Sequence, residues 1–296
     1  MVDVCLRATS PGARLEVTVA FTTRVVQRAQ AAHGLAPTST VALGRLLTSA
    51  GLIALTAKQE GTVGAQVTSK GRIRQLMVDA NHQGHLRGYT RAGELAFPLT
   101  PEEKLSGRRR VAPGTLPGHL SVVRRNARGE YTQSAVDLVS GEVDRDVEHY
   151  LVHSDQVPTV LAADVFIEDN DVVMSVGALV QAMPDGDLAQ LEALRARLVD
   201  GGLLALARET PEPQQLLGVI QPDAEIVEAP VIFTWRCRCS QERVVSSMQL
   251  LGPQDLAEMI EAGEPAQVGC DFCGAQYQVS VDEMRGVFRL LIQAEG

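Results

Sequence analysis

The sequence predicts an α+β protein built on a largely antiparallel sheet, followed by a helical connector and a small cysteine-bearing module. Three observations carry this. Strand-like runs outnumber helical ones and are joined by short turns rather than by helical crossovers. A leucine stripe at helical spacing sits in an acidic stretch after residue 183. Four of the five cysteines fall in the last 65 residues.

Taken in order, Leu15, Val17, Val19 and Phe21 alternate with polar or small residues, the period of a half-buried strand. Residues 38–58 follow Pro37, are rich in Ala and Leu, and read as a long buried helix. Short β-type runs follow at 62–68, 73–79 and 85–90, broken by Lys70-Gly71 and by Asn81 to Gly84. Runs at 119–124 and 131–139 flank a hairpin loop from Asn126 to Gly129. Residues 143–153 are expected to be helical and lead through Gln156-Val157-Pro158 into strands near 160–168 and 172–182, with Asp169-Asn170-Asp171 between them. This first domain spans 1–183.

The connector, 184–231, carries Leu188, Leu191, Leu194 and Leu198 on one helical stripe, then Leu203, Leu204 and Leu206 at the start of a second short helix. Pro211, Pro213 and Pro222 interrupt it. It has too little apolar surface to fold alone, so its order must depend on a neighbour. It reads as a structured linker packed on the first domain rather than an independent binding module, and the following module, 232–296, is the neighbour expected to shield its apolar surface. There, Ser240 caps a helix to about Leu251, and Pro253 opens another that ends near Gly263. Gln276 to Val281 alternates like a strand, and Ser280 with Glu283 forms a capping box for a last helix through Ile292.

The 296-residue chain is 45% hydrophobic and 21% charged, which supports a folded core and excludes a wholly disordered chain. No apolar run reaches the roughly 20 residues that span a bilayer. The nearest, Val41 to Ala57, contains Arg45. Asp3 and Arg7 interrupt any secretory core at the N-terminus, so a cytoplasmic protein without a membrane partner is expected. Residues 1–183 hold 19 Lys/Arg against 18 Asp/Glu, 184–231 hold 3 against 9, and 232–296 hold 5 against 9. The back third is thus acidic, and only 11 aromatic residues are available for stacking, so nucleic acid is not an expected partner.

Cys237-Arg238-Cys239 and Cys270-Asp271-Phe272-Cys273 form two close pairs separated by the 30 residues 240–269. Clustered cysteines without an export signal read as metal-binding or redox-active. Two pairs suit one zinc per chain held by four thiolates, and none of the six histidines lies in 232–296. On spacing, the site is open to two readings: a closed zinc knuckle that only folds the module, or a reversible switch. Residues two apart have Cα atoms roughly 6.6–7.2 Å apart in an extended chain, at the upper edge of disulfide geometry, so a bridge within Cys-x-Cys is strained and easily reduced.

Other candidates are weaker. His149 and His153 lack the adjacent glutamate of a zinc protease and are expected at the surface. His82 and His85 lie in a Gly/Asn turn. Arg108-Arg109-Arg110 and Arg124-Arg125 are expected on a solvated face or against the acidic back third. Cys5 reads as a buried, inert thiol. No catalytic constellation emerges, and the chain is not expected to be an enzyme.

These residues resemble the redox-regulated bacterial heat-shock chaperones of the 33 kDa chaperonin family. The resemblance rests on Cys237-Arg238-Cys239-Ser240-Gln241-Glu242-Arg243 and Cys270-Asp271-Phe272-Cys273-Gly274, with the acidic helix 253–262 between them. Supporting matches are Ala42-Leu43-Gly44-Arg45-Leu46-Leu47, Val78-Asp79-Ala80-Asn81, Ser140-Gly141-Glu142, and Tyr150-Leu151-Val152 through Ser154-Asp155-Gln156-Val157-Pro158. The chain departs from the family's glycine-rich turn at Ser69-Lys70-Gly71-Arg72.

The resemblance implies an ATP-independent holdase in the cytoplasm, inactive while its four cysteines bind zinc. Oxidation would form Cys237–Cys239 and Cys270–Cys273 disulfides, release zinc, and produce a homodimer that binds unfolding client proteins. A constitutive zinc-ribbon interaction module and a thiol-disulfide oxidoreductase are the alternative functions. The connector is expected to melt when the module loses its metal, baring its leucine stripe while most of 1–183 stays folded.

Overall fold

The computed structural model describes residues 2–56 and 60–295. It divides into two units, splitting after Arg236. In the first unit a hairpin, β1 (Val4–Ser10) and β2 (Leu15–Phe21), leads into helices α1 (Thr23–His33) and α2 (Pro37–Thr56). The expected end of α2 at residue 58 lies outside the described residues. Strands β3 (Gly61–Ser69), β4 (Gln75–Asn81) and β5 (His85–Thr90) follow, then short helices α3 (Pro101–Ser106) and α4 (Ala112–Thr115). Next come the hairpin β6 (Gly118–Asn126) and β7 (Tyr131–Asp137), helix α5 (Val143–Tyr150), and the hairpin β8 (Thr159–Glu168) and β9 (Asp171–Ala182). Three helices, α6 (Leu188–Leu198), α7 (Gly202–Glu209) and α8 (Pro213–Ile220), precede the two-residue strands β10 (Glu225–Ile226), β11 (Val231–Ile232) and β12 (Thr234–Trp235).

The strands form two sheets. One has the order β10-β1-β2-β9-β8, with β11 also on β1; the other runs β12-β5-β4-β3-β6-β7. All pairings are antiparallel except β12 on β5, so the α+β class holds. The β8–β9 turn places Asp169 and Asn170 at φ 48° and 71°, the left-handed pair of a hairpin turn whose twist matches its strands.

Helix α2 lies between the sheets and is buried from Thr38 through Leu55. It is long and apolar enough to cross a membrane by composition, but its environment here is protein on every side. Small residues make that possible: a Cβ on Gly44 would come 2.7 Å from Val165, and one on Gly51 3.0 Å from the ring of Phe233. The first sheet is covered on its other face by α6–α8. Leu191, Leu194, Leu198, Leu203, Leu216 and Leu217 pack there with Leu6, Val17, Phe21 and Val180.

The connector's apolar side packs on the first sheet, as a linker packed on the first domain would, so that sheet is buried on both faces. Other expectations change. Leu188 is 54% exposed and outside the stripe. Ile232 to Arg236, expected at the start of the module, belong to the first unit because β11 and β12 complete its sheets. Helix α5 ends at Tyr150 and continues as one π turn over Leu151–Asp155, stopped by Gln156 at φ 56°.

Arg108 is not on a solvated face. With Arg45 of α2 it forms a buried ion network in which Arg45 is 0% and Arg108 6% exposed. Arg45 meets Glu142 at 2.5 Å and Asp164 at 3.3 Å, and Arg108 donates to both oxygens of Asp144 at 3.0 Å and to Asp164. Burial alone would lower the Arg108 pKa, but these carboxylates outweigh it and hold the guanidinium charged. Arg124 likewise clasps Asp155, at 3.0 and 2.7 Å. Removing one partner of such a network leaves a buried charge uncompensated. Arg108→Ala is therefore expected to cost about 3–5 kcal/mol in urea unfolding, whereas Arg128→Ala, on the exposed β6–β7 tip, should stay within about 0.5 kcal/mol.

Candidate metal centre

The second unit comprises α9 (Gln241–Ser247) with a 3₁₀ turn to Leu251, α10 (Gly252–Ala262), the hairpin β13 (Ala266–Gly269) and β14 (Gln276–Val279), and α11 (Val281–Glu295). Its buried core is small: Val244, Met248, Leu256, Val279, Met284 and Val287. Two of its starts follow from local chemistry. Ser240 accepts from the Arg243 amide to cap α9, and Ser280 and Glu283 exchange bonds at the head of α11.

Both cysteine pairs sit at the ends of these elements. Cys237 and Cys239 lie in the irregular chain between β12 and the α9 cap. Cys270 and Cys273 form the tip of the β13–β14 hairpin. There the Gly274 amide donates to Cys270 O at 2.8 Å and the Cys270 amide to Ala275 O at 2.9 Å. Gly274 has φ 72°, which a glycine takes without strain as it turns the chain back into β14.

The four Sγ atoms lie within 4.8 Å of one another. Cys237 and Cys270 approach to 3.6 Å, Cys239 and Cys273 to 3.4 Å. A tetrahedral zinc with bonds of about 2.3 Å requires sulfurs roughly 3.8 Å apart, so the donor set fits a four-thiolate metal site. Crowded sulfurs without a cation resist ionisation. Desolvation first, and then the neighbouring thiols, push the Cys273 pKa up to about 12, and desolvation also raises that of Cys270. A divalent cation reverses this by stabilising the thiolate form. Tyr277 on β14 donates to Cys239 Sγ at 3.0 Å, the outer-shell contact that fixes a ligand's orientation. That hydrogen bond raises the Tyr277 pKa to about 12. Sequence spacing did not single out Tyr277, although its place four residues past Cys273 on a strand was legible.

The other candidates do not join this centre. Among the described residues, the group of His, Cys, Asp and Glu side chains able to hold a metal is these four cysteines. The rings of His149, on α5, and His153, in the π turn after it, lie 3.9 Å apart and tilted by 41°. His82 approaches Glu60 at 3.8 Å, and His85 contacts Asn81 and Arg236. The Ser69–Arg72 turn is held by Lys70 N to Pro117 O at 2.8 Å and by the Ser69 hydroxyl, which accepts from Gly71 N. Cys5 is buried on β1, and burial pushes its thiol up to about 12.

Fold and site together define a mixed α+β protein followed by a separate unit with a four-sulfur centre. A sequence model of the family described as Hsp33 protein matches residues 3–280. The 33 kDa chaperonins of Acaryochloris marina and Gloeothece citriformis are each 35% identical to the chain, covering 96% of it and 96% of their own length. A crystal structure of a 33 kDa chaperonin (heat shock protein 33 homolog) from Thermotoga maritima superposes with a TM-score of 0.85 at 23% identity, covering 99% of this chain and 100% of that one. The chain belongs to the Hsp33 family.

Burial and the absence of thiolate character make a buried thiol inert. After metal chelation, a thiol-specific reagent is expected to modify the four partly exposed cysteines of the second unit well before Cys5, which reacts only at the rate of global unfolding. Fast labelling of Cys5, resolved by peptide mass, would contradict its placement.

Proposed function

We propose that the protein is an ATP-independent, redox-controlled chaperone that binds unfolding proteins, with the four cysteines as its switch. The observation that carries this reading is the set of four sulfurs within 4.8 Å in a unit with a core of six buried apolar side chains. The names of the relatives, chaperonins throughout, supply the class of activity.

In the reduced state Cys237, Cys239, Cys270 and Cys273 would hold one zinc. Bound there, zinc keeps the four sulfurs as thiolates and ties the hairpin tip to the chain before α9. Structural zinc contributes on the order of 10–16 kcal/mol to small domains, comparable to a domain's entire net stability of about 5–15 kcal/mol. Hydrogen peroxide takes two electrons from each pair of thiolates. One S–S bond forms, the peroxide O–O bond breaks, and with two protons two waters leave. Sulfurs joined in a disulfide no longer ligate, so the second unit loses its staple. The pairing Cys237–Cys239 and Cys270–Cys273 follows the family resemblance, and the compact cluster brings every sulfur within reach of its partner.

The activated molecule would act as a homodimer in the cytoplasm, holding clients by burial of apolar surface. Neither catalysis nor nucleic-acid or membrane binding is part of this reading. The three domains expected from the sequence become, in this reading, a core completed by the connector and a switch unit beginning at Cys237.

X-ray absorption on reduced protein is expected to show sulfur-only coordination and one zinc per chain; nitrogen ligands would refute the site. Peptide mapping after peroxide should find the two within-pair bridges, against bridges across the pairs. The deciding assay compares suppression of a client's thermal aggregation by the reduced, zinc-loaded protein and by the peroxide-treated one. Equal activity in both states would mark a constitutive zinc-ribbon interaction module, and catalytic turnover of a dithiol substrate a thiol-disulfide oxidoreductase.

A further inference from the structure

The two units build their cores from different side chains. In the first, the buried clusters consist of Leu, Val, Ala and Ile with Cys5 and a few aromatic residues, and neither holds a buried methionine. Met77 and Met174 of that unit are half-buried, and Met183 is 40% exposed. In the second unit, two of the six buried core residues are methionines: Met248, 5% exposed, and Met284, 0% exposed. Met259 is half-buried and packs on the same cluster. Among the described residues, the buried methionines of the whole chain are Met248 and Met284.

Each of the three comes from a different helical element. Met248 opens the 3₁₀ turn after α9, Met259 lies on α10, and Met284 lies in the first turn of α11. The Met284 amide donates to Ser280 O at 3.0 Å, which places it directly on the Ser280–Glu283 cap. Tyr277 of the hairpin packs on this cluster and also bonds Cys239 Sγ. The thioether core and the sulfur centre are therefore two parts of one small body. A thioether fills irregular gaps well, but it is also the apolar side chain that oxidants convert into a polar one.

We propose that Met248, Met259 and Met284 are a second oxidation site, modified to sulfoxides after the cysteine centre has opened, and that the sulfoxides keep the second unit unfolded when the disulfides are later reduced. The oxidant is the hydrogen peroxide that oxidises the cysteines. Each thioether gives it two electrons: an S–O bond forms, the O–O bond breaks, and one water leaves. Thioethers react more slowly than thiolates, so chemistry and burial impose the same order, cysteines first. A sulfoxide buried without a hydrogen-bond donor disfavours refolding by roughly tenfold or more. Folding of a small metal unit and its metal affinity are one equilibrium, so zinc is rebound more weakly by the same factor. Return to the resting state then needs two reductions, the disulfides by a dithiol and the sulfoxides by a pair of sulfoxide reductases, one per epimer. Each sulfoxide removed turns two thiols into a disulfide and releases one water. Brief and prolonged exposure to oxidant are thereby told apart. The trigger rests on the redox-controlled chaperone reading above; the placement of the thioethers does not.

Peptide mass mapping over a peroxide time course tests the site. In the reduced, zinc-loaded protein Met183 is expected to gain oxygen first, with Met248 and Met284 unmodified. Once the cysteines are oxidised, Met248, Met259 and Met284 should be modified about as fast as Met183. Met248 and Met284 modified equally in both states, or in neither, would overturn the proposal. The effect on refolding is read after dithiothreitol, as zinc affinity against a chelating indicator. Briefly oxidised protein is expected to recover at once. Protein oxidised for longer should bind zinc roughly tenfold more weakly or worse, and recover on treatment with both sulfoxide reductases. The M248L/M259L/M284L protein, whose side chains keep their volume, should recover after either exposure. Equal recovery of the wild type and this variant after long exposure refutes the proposal and leaves the chaperone reading standing.

Second-unit amides that stay protected from exchange after cysteine oxidation would overturn the switch reading instead. Wild-type protein oxidised in urea and returned to buffer with dithiothreitol and zinc then decides the role of the sulfoxides. Immediate zinc uptake refutes it, and uptake only after sulfoxide reduction supports it. Should the triple variant not fold, the reductase comparison on the wild-type chain decides in the same way.

Discussion

A helix with no exposed side governs the first unit. From Thr38 to Leu55 every residue of α2 is buried, so the helix needs protein packed against all its sides, and a single sheet covers only one. Two sheets with α2 between them meet that demand. The same burial takes Arg45 into the interior, where a lone cation would be prohibitively costly. Glu142, Asp144 and Asp164, brought in by the α5 cap, by α5 and by β8, offset both this charge and that of the neighbouring Arg108. The long-range architecture is in this sense the set of partners that one helix requires.

Much of this was legible locally. Alternation marked β2 and the strands of the second sheet, turn residues marked their boundaries, and the Ser280–Glu283 box marked α11. Strand β1 was missed because the first sheet is covered on both faces, and Val4–Ser10 shows no clean alternation. Helix α1 was missed although Val25, Val26 and Ala29 carry its spacing. Strands β10 to β12 are two residues each and exist only through their partners, so no local signal could announce them. The fate of Arg45 was equally hidden, since its carboxylates lie 97 and 119 residues away.

The sulfur centre was legible for the opposite reason. Four cysteines in two close pairs need no knowledge of the fold to be read as one site, because a metal imposes its own geometry on whatever chain supplies the donors. What spacing could not reveal is the support: the hairpin whose tip presents Cys270 and Cys273, and the Tyr277 hydroxyl on Cys239. The two units thus differ in how they are specified. The first is dictated by mutual burial among distant segments, the second by a few donors around a common point.

The route of β10 to β12 also sets an order of events during synthesis. Arg7 on β1 pairs with Glu228, 221 residues later, so the outer edge of the first-made strand has no cover until almost the whole first unit has been translated. At about 5–20 residues per second that interval is roughly 10–45 s. For that time the nascent chain carries an open strand edge, a hazard for association with neighbouring chains on the same message. The segment that closes it is made immediately before Cys237. The ribosome therefore finishes the first unit and begins the sulfur centre within a single stretch of chain, and a nascent protein stalled before residue 225 is left with the edge uncovered.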